Sequence, residues 1–166
     1  MASRVLKNGD ERTEDRKISN RYYDLMEEYE ETKYRLNNYR KIVEKGDDDF
    51  FKYAERISFL ENSDAYGRYL IMDHYKPLLD KLHELSKTET GEDLERYNDY
   101  EKALRRECVT LMDNSDGANV FDIENDIRAT LNDIAKDDKA DPALRKASVK
   151  EIRDVFAEKV KRDKEQ

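Results

Sequence analysis

The chain has 166 residues, 43% of them charged, and a formal net charge of -8; it is most simply one domain, and no apolar run approaches the roughly 20 residues of a membrane span. Its one cysteine, Cys108, cannot form an internal disulfide and fits a reducing compartment. The opening stretch MASRVLKNGDERTEDRK has no hydrophobic segment of signal-peptide length, so the expectation is a soluble, cytoplasmic protein.

Residues 1–16 are polar and are read as a flexible segment ahead of a helical domain spanning 17–163. From about 17 to 45 the residues Tyr22, Leu25, Tyr29, Thr32, Leu36, Tyr39 and Val43 recur at spacings of three and four, a heptad seam loosened by its tyrosines. A second helix over about 48–61 turns Phe50, Phe51, Ala54, Ile57 and Leu60 inward. The stretch ENSDAYGRY interrupts the pattern, which resumes through Leu70, Ile71, Tyr75, Leu78, Leu79, Leu82 and Leu85. Pro77 is expected to kink or split this third segment, because it lacks a backbone donor and crowds the preceding turn.

In TETGEDLERY, Thr90 has the position of an N-cap, with Asp93 at capping-box spacing. The fourth helix carries Leu94, Tyr97, Leu104, Cys108 and Leu111. A fifth, about 119–136, uses Val120, Ile123, Ile127, Leu131 and Ile134. A sixth, about 142–162, starts with Asp141 as N-cap and Pro142 at the first helical position, and uses Leu144, Val149, Ile152, Phe156 and Val160. Gly46, Gly91 and Gly117 fall where periodicity breaks, as helix ends do. The fold class is all-α: a bundle of five or six helices with a long Tyr-rich first helix. Leu, Ile, Val and Phe form only about a fifth of the chain, while there are eleven Tyr; a thin core follows, favouring elongation or burial against a partner.

Glu-to-Arg pairs at i,i+4 (Glu31–Arg35, Glu92–Arg96, Glu101–Arg105, Glu124–Arg128, Glu158–Arg162) mark faces read as solvated, each pair contributing about 0.2–0.5 kcal/mol. Glu27, Glu28 and Glu31 form a Glu-Glu-x-x-Glu motif, and Glu44 with Asp47 a downstream Glu-x-x-Asp. As a pattern this resembles the all-α nucleoside triphosphate pyrophosphatases of the MazG type. The resemblance implies magnesium held by those five carboxylates on a helical bundle. The heptad instead turns Glu27, Glu28 and Glu31 mainly away from the seam, and Gly46 separates Glu44 from Asp47. The solvated-face reading is therefore preferred, with no catalytic residue, no metal and no cofactor assigned.

His74 and His83 have no cysteine neighbour and are read as partly buried or surface side chains. Cys108 lies on an apolar stripe and is read as core. Charge is uneven: residues 1–21 carry a net of +2, residues 142–166 a net of +3, and the middle a net of -13. The favoured function is a non-enzymatic interaction or assembly component, binding a protein partner or a second copy through Tyr22, Tyr29, Tyr34, Tyr39, Tyr97 and Tyr100. The alternative is that the same rings pack within the chain, against helices two to four. Contact with nucleic acid through Arg145, Lys146, Lys150 and Arg153 is a weaker alternative, since Glu151 and Asp154 interrupt that cluster.

Overall fold

Six helices account for nearly all of the described backbone: α1 (Ala2–Lys45), α2 (Phe50–Glu61), α3 (Asp64–Thr88), α4 (Gly91–Asp113), α5 (Val120–Lys136) and α6 (Pro142–Glu165). The computed structural model describes residues 2–46, 49–114 and 120–165, with side chains described over 13–46, 49–114 and 122–154. Among these residues there is no strand, so the chain is all-α, as its periodicity requires. It gathers into two compact units, Met1–Met72 and Asp73–Gln166, the division falling within α3.

In the first unit α1 runs back to Ala2 rather than starting near residue 17. The polar opening residues contain no proline and many good helix formers, so propensity extends the helix beyond its seam. The seam itself is buried at Tyr22, Leu25, Tyr29, Thr32 and Leu36, and half-buried at Tyr39 and Val43. Gly46 ends the helix with φ +70, its amide donating to the Val43 carbonyl at 3.1 Å. That left-handed conformation suits glycine, which has no Cβ to crowd the preceding turn. Asn62 and Ser63 then separate α2 from α3. The Ser63 hydroxyl donates to the Leu60 carbonyl at 2.6 Å and accepts from the Tyr66 amide at 3.3 Å, closing one helix and opening the next.

Pro77 lies inside α3 without splitting it. In the second unit α4 packs on α5 and α5 on α6. Leu104, Cys108, Ile127, Leu131, Ile134 and Leu144 are essentially inaccessible, as the helical stripes predict. Asp141 caps α6 as expected, its carboxylate accepting from the Leu144 amide at 3.1 Å. Thr90 has the extended backbone of an N-cap (φ -134, ψ 164), but its side chain makes no capping hydrogen bond. The capping-box expectation is corrected there: Gly91, at φ +64, opens the helix in a conformation of its own. Gly117, Asp47, Phe156, Val160 and the Glu158–Arg162 pair lie outside the residues whose side chains are described.

Candidate interaction surface

The feature that departs most from the sequence reading is α2. Its twelve residues include no buried side chain. Phe51 is 82% exposed, Phe59 78% and Phe50 39%. The expectation that Phe50 and Phe51 point inward is thereby corrected. Ala54, Ile57 and Leu60 are half-buried, so the helix does present one side to its neighbour. It packs on α1. One neighbour covers one side, and the remaining apolar positions stay in water.

Where α1 and α2 pack, they enclose an open groove of about 410 Å³, lined by Arg35, Tyr39, Lys52, Glu55, Arg56, Phe59 and Leu60. Its floor is ordered by rings and charges together. Tyr39 and Tyr53 have centroids 5.5 Å apart. The Arg56 guanidinium lies 5.7 Å from the first ring and 5.1 Å from the second, within cation–π range of both. Arg40 reaches Glu61 at 3.1 Å and ties the end of α1 to the end of α2. Lys52 and Arg56 stand at i,i+4, a like-charged spacing that disfavours a helix by a few tenths of a kcal/mol. Neither makes an ion pair among the described residues.

The tyrosines singled out from sequence divide sharply. Tyr34 is 69% exposed, and Tyr39 lines the groove. Tyr22, Tyr29 and Tyr97 are buried. Tyr29 stacks on Tyr69 at 5.3 Å. The Tyr97 hydroxyl accepts from the Asp141 amide at 2.9 Å, and the Tyr100 hydroxyl donates to Asp137 at 2.8 Å, so these two fasten α4 to the turn between α5 and α6. Phe51 is read from sequence as an inward residue, and Phe59, Tyr53 and Arg56 are not singled out. An exposed phenylalanine carries the same sequence signal as a buried one.

Among the described residues the carboxylates of the acidic motif do not gather into one group. Glu28 receives two hydrogen bonds of 2.7 Å from Arg68, one to each oxygen, and Glu31 pairs with Arg35. Glu27, Glu31 and Glu44 are exposed, and Asp47 lies outside the described residues. Among the described residues no group of three or more His, Cys, Asp or Glu side chains is placed to hold a metal ion.

In the basic cluster, Arg145 donates from Nε to the Ala135 carbonyl at 3.1 Å, while Lys146, Lys150 and Arg153 are exposed. Glu151, interleaved with them, binds the His74 ring nitrogen Nδ1 at 2.9 Å.

One expectation about solvated faces fails outright. Glu101 is buried, and its carboxylate gathers Arg105 at 2.6 Å, His83 at 3.0 Å and Ser86 at 3.3 Å. Glu92 is exposed, and Arg96 turns instead to Asp93 and Asp137. Spacing fixes which charges can meet, but not whether another helix covers them. Comparison of the chain with protein-family models, curated proteins and solved structures gives no match in any of the three. No helix among the described residues is long and apolar enough to cross a membrane.

Proposed function

We propose that this chain is a non-enzymatic helical interaction protein that engages a protein partner through the aromatic face of α2 and the adjoining groove on α1. The observation that carries the reading is the exposure of Phe51 and Phe59 on a helix that buries none of its residues. Exposed ring surface of this kind suits a protein contact, because covering it removes ring area from water. Tyr39 and Tyr53 extend the surface with rings whose hydroxyls tolerate a wet rim. Arg56, held over two rings, supplies a preorganised donor that loses little entropy on meeting a carboxylate. A working place in the cytoplasm accords with the single free cysteine, which is buried.

The test is site-specific photocrosslinking in the cells that make the protein. A photoreactive phenylalanine analogue at position 59 is expected to yield protein adducts. The same group at exposed Asn98 on α4 serves as the control. Equal, background-level labelling at both positions rejects the reading.

A further inference from the structure

We infer that the occupant of the α2 face is a second copy of the same chain, docked helix against helix about a twofold axis passing between Glu55 and Arg56. This rests on the interaction reading above and names the partner.

The support is self-complementarity. Positions four apart stack along one face of a helix, so Phe51, Glu55 and Phe59 form one exposed stripe, with Lys52 and Arg56 along its flank. A twofold contact must match its own patch: residue i meets j, and j meets i. Antiparallel docking about that axis sets Glu55 opposite Arg56 of the second copy, and repeats the pair by symmetry. It sets Phe51 against Phe59 of the second copy, and lays the Lys52 stem across the Phe59 ring of that copy. Charges lie at the centre and rings at both ends. The like-charged Lys52–Arg56 spacing is relieved by a carboxylate that the same segment carries.

The area is consistent with a reversible contact. Four phenylalanine rings, each about four-fifths exposed before docking, supply roughly 500–800 Å² at the usual area of an aromatic side chain. With the Lys52 stems the total approaches about 1,000 Å², the size of weak, transient contacts. A dissociation constant on the order of 10 μM is expected for such a patch.

Sedimentation equilibrium of the purified full chain tests this. Wild type is expected to pass from 19.8 kDa toward twice that mass as concentration rises through the micromolar range. Singly, E55R leaves only positive charge at the centre and R56E only negative; each is expected to raise the dissociation constant at least tenfold. An equimolar mixture of the two variants, and the double swap E55R/R56E, is each expected to restore dimers. Circular dichroism melts of each variant confirm folding. If R56E unfolds through loss of its ring stack, F51D and F59D replace the pair, and each is expected to weaken the dimer to the same degree.

A wild type that stays at 19.8 kDa into the millimolar range overturns the inference, as does a dimer indifferent to all of these changes. Adducts at position 59 that contain only other proteins, or a nucleic acid that binds the groove of a monomeric chain, also overturn it. The first of these leaves the interaction reading standing, whereas silence of position 59 removes both.

Discussion

Replacing Glu107 by glutamine is expected to stabilise the protein at pH 8 and to leave it nearly unchanged at pH 4.5. Glu107 lies on α4 facing α5. One carboxyl oxygen accepts from the Thr130 hydroxyl at 2.6 Å; the other is buried and meets no hydrogen-bond donor among the described residues. Burial pushes the carboxyl from its ordinary 4.5 up to about 7, against the opposing pull of the Thr130 hydroxyl and with help from Asp126.

The folded state therefore holds a proton that the unfolded state has released, so stability falls as pH rises between those two values and is level outside them. The full difference corresponds to about 3 kcal/mol at 1.36 kcal/mol per pH unit. Solvent reaching a half-buried carboxyl reduces the expectation to about 1–2 kcal/mol. Urea unfolding of wild type and E107Q at pH 5, 6, 7 and 8 measures it. Contributions common to both proteins cancel in the difference. The two stability curves should diverge steadily from pH 5 to 7 and then run level. Curves that stay parallel across the whole range would refute the account of Glu107 as a carboxyl kept neutral by burial.

Two further outcomes follow from the second unit. Glu101→Ala removes the carboxylate that Arg105, His83 and Ser86 share, and a cost of about 3–5 kcal/mol is expected from equilibrium unfolding; a cost below about 1 kcal/mol would place the pair on a wet surface after all. Cys108 is fully buried and its thiol is pushed far up by that burial, so Ellman's reagent should find no thiol in the native protein and one per chain in denaturant; rapid native labelling contradicts the packing described.

The helical architecture was legible because it rests on few signals that compete weakly. Scarce glycine and proline, and a seam repeating at three and four, leave few alternatives to helices, and the seam residues from Tyr22 to Leu36 are the ones buried. The Asp141–Pro142 cap was equally readable, since both residues act locally. What failed were inferences about which charged and aromatic side chains a second helix covers. Glu101–Arg105 and Glu31–Arg35 have identical spacing, yet the first is buried and the second exposed. Tyr34 lies off the seam and its exposure follows from that alone. Tyr97 and Tyr100 do not announce that their hydroxyls bind a turn some forty residues onward.

The same limit explains α2. Its apolar residues define an inward side correctly in part, at Ala54, Ile57 and Leu60, but Phe50, Phe51 and Phe59 exceed what one neighbouring helix can cover. A twelve-residue helix is marginal in isolation, and this one gains from α1 a half-buried side, the Arg40–Glu61 pair and the stacking of Arg56 over Tyr39 and Tyr53. Whatever covers its outer stripe must therefore stabilise α2 itself as well as the contact. By mass action, a partner that binds only the folded helix raises its apparent stability with concentration. Self-association then carries a signature that packing within one chain lacks. Protection of the α2 amides from hydrogen exchange should rise with protein concentration, while the core amides of α5, whose burial owes nothing to a second copy, hold constant.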